Sequence, residues 1–212
     1  MNKIHWLVIT VVALTLSGCV SGELKYTKPK IPKKPIQTSK VIDKDFNSSW
    51  KEMVANISTH HLVINNLEKD SGLINISFSS DNPSKYIDCG RWKGYVKNMQ
   101  GRNDYEYKGE ASTRFSHING TNILTTNRTS NLTGRVNVLL QSVENNQTKI
   151  NVNVRYVLSV KDRISTSQPN VYPGVDTWYI SLGTNQTGRN SSGQTQCISN
   201  GSLEKLLLGY VK

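Results

Sequence analysis

Two alternating stretches joined by a short polar turn place the strongest constraint on how this chain folds. Apolar residues occupy every second position of residues 150–160, with Asn, Arg and Ser between them, and residues 136–140 alternate in the same way. A period of two predicts strands with one apolar face, and the polar residues 144–147 between the stretches predict a hairpin turn. The expected result is an antiparallel sheet with one buried and one solvated face.

Two amphipathic segments predict helices before and after these strands. The first places its apolar residues on one helical face, namely Phe46, Trp50, Met53, Val54 and Ile57. The second spans residues 202–211 and does the same with Leu203, Leu206, Leu207 and Tyr210. Spacings of three and four are those of a helix packed on a core. The sequence therefore predicts an α+β fold, an antiparallel sheet packed by an N-terminal and a C-terminal helix, in a single domain of residues 41–212.

Shorter segments supply further strand candidates. Residues 62–67 and 72–79 flank a turn rich in Asp, Ser and Gly, and residues 124–132 and 178–182 also favour strands. Polar residues interrupted by glycine predict a loop or a weak edge strand over 94–109. Residues 162–176 and 183–196 are expected to be irregular.

The first nineteen residues have the pattern of an export signal. Lys3 precedes a short apolar run, which ends in Leu16, Ser17, Gly18 and Cys19. This ending resembles the bacterial lipobox, which implies that residues 1–18 are a signal peptide and that Cys19 carries the lipid. The alternative is an ordinary signal peptide with a chance cysteine. Val20, which is not Asp, implies by the same resemblance an outer-membrane anchor facing the periplasm.

A basic segment follows the predicted anchor. The chain carries a formal charge of +11, and residues 23–40 contain six lysines and one acid, Glu23. Pro29, Pro32 and Pro35 favour extended geometry, so residues 19–40 are interpreted as a tether between membrane and domain. The alternative is contact with anionic lipid, lipopolysaccharide phosphate or cell-wall polymer. Nucleic acid is not expected as a partner of an exported chain.

Cys89 and Cys197 remain once Cys19 is lipidated. An even number of cysteines in an exported chain predicts a disulfide. A pair of free reactive thiols is the alternative. The Cys and His residues lack the spacing of a metal site, so neither a metal nor a cofactor is predicted.

Aromatic and basic residues interleave in the middle of the chain. They are Arg91, Trp92, Lys93, Tyr95, Tyr105 and Tyr107. Such a mixture can stack on sugars or contact a protein partner, and it can also be ordinary packing. No nucleophile elbow, P-loop or zinc-protease motif is present, and only unpaired carboxylates such as Asp88, Glu106 and Glu110 are candidates for hydrolysis. An enzyme is not predicted.

Residues 45–50, with the helix that follows, and residues 62–74 resemble the start of a helix-grip module. They are similar to the BamC type of outer-membrane lipoprotein, in which a tryptophan-bearing helix precedes a hairpin. The chain differs in having one such module and a cysteine pair. The resemblance implies a helix-grip fold and a non-enzymatic accessory or scaffolding lipoprotein that binds an envelope protein partner. A glycan or cell-wall-polymer binding module is the alternative, and an unrecognised hydrolase the third.

Overall fold

Strands make up most of the described chain. The structure is a computed structural model that describes residues 20–60, 62–120, 122–166 and 173–212. In chain order its elements are β1 Ser21–Thr27, β2 Ser39–Ile42, α1 Phe46–Ser58, β3 Val63–Glu68, β4 Leu73–Ser80, a 3₁₀ turn Pro83–Lys85, β5 Ile87–Asp88, β6 Arg91–Asn98, β7 Gly101–Lys108, β8 Thr113–Asn119, β9 Asn122–Val143, β10 Gln147–Ser165, β11 Gly174–Gly183, β12 Thr187–Arg189, β13 Gln196–Ser199 and α2 Ser202–Leu208. Within these ranges, no helix has the length and apolar character needed to cross a membrane. The predicted signal peptide and the lipid site Cys19 lie outside the described residues.

The predicted hairpin is confirmed and is longer than the sequence indicates. Strands β9 and β10 pair without interruption from Val143 opposite Gln147 to Thr125 opposite Ser165. At the turn, Asn145 and Asn146 both have φ of 59°. Asparagine tolerates this left-handed conformation better than most residues, which suits both positions to the three-residue connection, 144–146, between the strands.

The hairpin has two halves with different neighbours. The turn half, residues 131–158, pairs with β4 along β9 and with β2 along β10, and β3 adds a further strand beyond β4. The open half, residues 122–130 and 159–165, pairs with β8 along β9 and with β11 along β10, and β11 continues beside residues 155–158 of the turn half. Together these strands form the main sheet.

The core lies on one face of the turn half. Inward residues of the hairpin such as Val136, Val152 and Val154 are at most 2% exposed. The two predicted helices are confirmed and pack on this face, α1 through Met53 and Ile57 and α2 mainly through leucines. The opposite face of the sheet is polar and exposed, as the alternation predicts.

The α+β, helix-grip expectation is wrong. The molecule is mostly β and resembles a sandwich of sheets, because two segments that looked like a loop and a linker form strands. Residues 94–109 lie mostly in the β6–β7 hairpin, and β1, from the predicted tether, pairs with β6 to give a small sheet in the order β1-β6-β7. The two helices, of 13 and 7 residues, are too short to define the architecture.

The disulfide prediction is confirmed. Cys89 and Cys197 lie at bonding distance, with their Cα atoms 4.0 Å apart, and join the segment after β5 to β13 in a third sheet with β12. Tyr26 of β1 ties the small sheet to this point. Its hydroxyl lies 3.0 Å from the carbonyl oxygen of Cys89 and 2.9 Å from that of Gln196, and it accepts a hydrogen bond from the Gln196 backbone N–H.

Candidate binding cavity

The small sheet covers the open half of the main sheet with its inner face. Because side chains alternate along a strand, Leu24 of β1, Trp92 of β6 and Tyr107 of β7 all point to this face. Trp92 and Tyr107 lie directly opposite each other in register. Strands β1 and β6 contact β8, which places these side chains over the open half.

A cavity of about 330 Å³ lies between the two sheets. Its walls are largely aromatic, formed by Trp92, Tyr107, Phe115, His117 and Trp178. Leu24 and Ile164 add apolar surface, and the polar lining residues are Thr126, Arg128, Asp162, Asp176, Asn190, Ser192, Gln194 and Thr195. Aromatic walls with convergent polar groups are a feature of small-molecule sites.

A buried ion pair forms one side of the cavity. Arg128 and Asp162 lie opposite each other on β9 and β10. Arg128 Nε donates to Asp162 Oδ1 and Nη2 donates to Oδ2, both at 2.7 Å, and the two side chains are only 8% and 10% exposed. Two parallel charge-assisted hydrogen bonds fix both planes. The pair therefore gives the cavity a rigid polar wall.

Aromatic rings surround the guanidinium of this pair. Its central carbon lies 5.2 Å from the ring of Trp178, 5.3 Å from Phe115 and 5.8 Å from Tyr107. Tyr107 and Phe115 also stack, with centroids 4.5 Å apart and planes 21° apart. A cation within about 6 Å of an aromatic face is attracted by the ring quadrupole. The charge of Arg128 thus helps to hold the aromatic walls in place.

Two of the aromatic wall residues carry polar atoms without a partner. Among the described residues, Trp92 Nε1 and His117 Nδ1 are buried and make no hydrogen bond with the protein. Burial lowers the pKa of His117, although Asp162 opposes the shift, so the ring is neutral near pH 7. A buried polar atom left unpaired costs free energy that a hydrogen-bonding ligand can recover.

The segment 190–195 closes one edge of the cavity. The backbone N–H of Asn190 donates to the carbonyl of Thr195 at 3.2 Å, and the Asn190 side chain accepts from the Thr195 backbone N–H at 3.0 Å. These two bonds hold Ser192 and Gln194 in a closed loop at the rim. Residues 183–196 were expected to be irregular. They contain the short strand β12 as well as this loop.

The structure divides the six predicted contact residues between two faces. Trp92 and Tyr107 line the cavity, and Tyr105 lies beside them, with its ring 6.3 Å from that of Tyr107. Arg91, Lys93 and Tyr95 belong to the outer face of the small sheet, which the register places opposite to Trp92.

The outer-face residues have partners of their own. Arg91 contacts Glu106 at 3.0 Å and Lys93 contacts the same carboxylate at 4.0 Å. The guanidinium of Arg102 lies 3.7 Å from the ring centre of Tyr95. These exposed contacts do not reach the cavity.

The sequence patterns did not predict four residues of the cavity, namely Arg128, Asp162, Phe115 and Trp178. The sequence nevertheless contains a signal for Asp162. Apolar residues occupy every second position up to Val160, and Asp162 takes the next inward-facing position. A charged residue at an inward position requires a buried partner. Arg128 opposite Asp162 meets that requirement, but only the strand register reveals it.

The three candidate carboxylates for hydrolysis have separate structural contacts. Glu110, 1% exposed, accepts hydrogen bonds from the Cys89 backbone N–H at 2.9 Å and from the Ser84 hydroxyl at 2.6 Å. Asp88 accepts from the Gly90 backbone N–H, and Glu106 pairs with Arg91. None of the three lines the cavity.

Comparison with known proteins does not identify a function for the chain. No protein-family model, curated protein or solved structure matches the chain. In the described part of the chain, no three His, Cys, Asp or Glu side chains are grouped as metal ligands.

Proposed function

We propose that the protein is a non-enzymatic binding module of the bacterial envelope, and that its cavity binds a saccharide unit of an envelope glycan. The observation that supports this proposal is the set of aromatic walls around a fixed, buried ion pair. The C–H faces of a sugar ring pack on aromatic faces, and its hydroxyl groups bind to polar groups at the edges.

The dimensions and polar groups of the cavity favour a small, hydroxyl-rich ligand. Its 330 Å³ is at the lower end of the range of about 300–1,000 Å³ for ligand sites. Arg128, Asp162 and Asp176 supply charged groups, and Ser192 and Gln194 add a hydroxyl and an amide at the rim. A sugar hydroxyl both donates and accepts, so it suits this mixture of groups.

A lipid anchor at Cys19 completes the proposal. The lipobox resemblance and Val20 support a lipid-anchored protein on the periplasmic side of the outer membrane. Palmitate labelling of cells that express the full chain tests the anchor. We expect labelling to disappear in Cys19→Ala, and unchanged labelling of that variant would contradict lipidation at this residue.

Saccharide titration of the mature chain in detergent micelles tests the cavity. The probes are the disaccharide-peptide unit of peptidoglycan and the core oligosaccharide of lipopolysaccharide, with binding followed by calorimetry. We expect one of them to bind and Trp178→Ala to weaken it by about tenfold or more, equivalent to about 1.4 kcal/mol. Loss of this aromatic wall removes stacking area together with the hydrogen bond that Trp178 Nε1 donates to Asp162 Oδ2 at 3.4 Å, whereas the two hydrogen bonds between Arg128 and Asp162 do not involve the indole.

Tyr179→Ala is the matched control. Tyr179 is the neighbour of Trp178 on β11, is 60% exposed, and points to the opposite face of the sheet. We expect its replacement to leave saccharide affinity unchanged. If neither probe binds, or if both variants bind like the unmodified chain, the cavity is not a saccharide site.

Binding of an envelope protein partner is the second candidate function. The outer face of the small sheet supports it, because Tyr95 and Arg102 stack there in the open. Tyr and Arg are the residue types enriched at the energetic centres of protein interfaces. Crosslinking in intact envelopes tests this candidate: a crosslinked protein that disappears in Tyr95→Ala supports it, and recovery of glycan alone contradicts it.

A further inference from the structure

Two arginines lie directly opposite each other on the exposed face of the main sheet. Arg135 of β9 pairs in register with Arg155 of β10, and both side chains are exposed. Neither has an acidic partner among the described residues. Like charges directly opposite in an antiparallel pair are destabilising. An anion bound between the two guanidinium groups would remove this repulsion.

The four strands nearest the pair carry only basic charges on the exposed face, and Glu68 lies on β3 beyond β4. The outward positions of β4, β9, β10 and β11 hold no Asp or Glu. Their charged residues are all cations, namely Arg135, Lys149, Arg155, Lys161 and Arg163. Attraction of an anion from solution to this face is therefore not opposed by acidic side chains on these four strands.

A concave space adjoins the two arginines. Its volume is about 580 Å³, and its lining includes Asn137 and Asn153 beside the pair and Gly183 next to Arg155. The side chain of Gln186, which also lines the space, occupies the position that a side chain at Gly183 would take. The Asn75 amide donates to Asn137 Oδ1 at 2.6 Å, which fixes the orientation of one amide beside the pair.

We propose that Arg135 and Arg155 bind the phosphate monoester of a phosphorylated envelope glycan. Two guanidinium groups match the charge of about −1.5 to −2 of a phosphate monoester, whereas a carboxylate carries a single charge. The planar fork of arginine forms paired hydrogen bonds to phosphate oxygens. The neighbouring Asn amides supply polar contacts for sugar hydroxyls. This site is on the opposite face of the main sheet from the aromatic cavity and rests on separate residues.

Calorimetry at low ionic strength on the mature chain in micelles tests the proposal. The probes are glucosamine 6-phosphate, inorganic phosphate and glucosamine. We expect the sugar phosphate to bind most tightly, and Arg135→Gln and Arg155→Gln each to weaken it by about tenfold or more, because each removes charge-assisted hydrogen bonds. The matched control is Lys161→Gln, which removes the same charge from the same face of β10, and we expect no more than about a twofold change there.

The other outcomes separate the alternatives. Equal affinity for inorganic phosphate and sugar phosphate would overturn the glycan part of the proposal, and equal weakening by Lys161→Gln would show diffuse attraction instead of a site. Absence of binding would overturn it altogether. Melting curves serve as the folding control, because removal of one of two like charges is expected to leave the melting temperature unchanged or higher. Phosphate binding should survive Trp178→Ala, so failure here and failure of the cavity proposal are distinguishable.

Discussion

The two halves of the β9–β10 hairpin share strands and register but differ in what fills their inward positions. In the turn half most of these positions are aliphatic, for example Val136 and Val154, and the helices pack over them. In the open half they include Arg128 and Asp162, under the small sheet. One continuous hairpin thus carries a closed core at one end and a cavity at the other. The comparison shows that the side chains at the inward positions, together with the elements that cover them, decide whether the face of a sheet becomes a closed core or a cavity.

Replacement of Arg128 should have the largest effect of a single change. Arg128→Met leaves the Asp162 carboxylate buried without its partner, and breaking such a pair costs about 4 kcal/mol in the free energy of unfolding. Urea denaturation measures this loss. The double variant Arg128→Met with Asp162→Leu should recover most of it, because neither charge is left unpaired. A loss below about 1 kcal/mol in the single variant would mean that the pair does not hold the open half.

A core truncation in the turn half should destabilise without affecting binding. Met53 of α1 is fully buried, and Met53→Ala should cost roughly 3 kcal/mol through lost burial and a new cavity. Saccharide affinity measured well below the melting temperature should be unchanged. A parallel loss of affinity would show that the two halves are coupled and not divided as described here.

The pH dependence of stability should reside in the open half. Because burial lowers the pKa of His117, the unfolded chain takes up a proton below about pH 6.5 while the folded chain does not. The free energy of unfolding is therefore highest above that pH, where the ring is neutral in both states, and it decreases as the pH falls. The neighbouring charge is Asp162, which opposes the shift.

Melting temperatures at about pH 8 and about pH 5 measure this effect. His117→Gln should reduce the difference between the two. An identical pH difference in the unmodified chain and in His117→Gln would exclude His117 as its source.

The hairpin turn should give the smallest effect. Asn146 has φ of 59°, so Asn146→Gly relieves a backbone conformation that glycine adopts freely and should stabilise by about 0.5 kcal/mol. Asn146→Ala should destabilise by about 1 kcal/mol, since alanine tolerates that φ poorly. Chemical denaturation checks both, and the same sign for the two variants would contradict the left-handed turn.

Local patterns predicted the elements that bury an aliphatic face. The helix from Phe46, the hairpin and the disulfide all follow from spacing or from an even cysteine number. The small sheet did not follow, because β6 and β7 bury aromatic residues among charged ones and contain glycine, and their partner β1 lies about 70 residues away in the sequence. Trp92 and Tyr107 were identified by residue type alone. Arg128 and Asp162 can be recognised as partners only from the strand register, which places them opposite each other.

The indole N–H signals of the mature chain report most directly on the proposed difference between a saccharide site in the open half and a closed core in the turn half. Trp92 and Trp178 line the cavity, whereas Trp50 lies in α1 over the turn half and serves as an internal control. Each signal is assigned by a single Trp→Phe variant in ¹⁵N spectra of the chain in micelles. On titration with the peptidoglycan disaccharide-peptide and the lipopolysaccharide core oligosaccharide, we expect one saccharide to shift Trp92 and Trp178 and to leave Trp50 in place. Signals that stay unchanged with both, or a shift of Trp50 alone, would contradict a saccharide site in the open half.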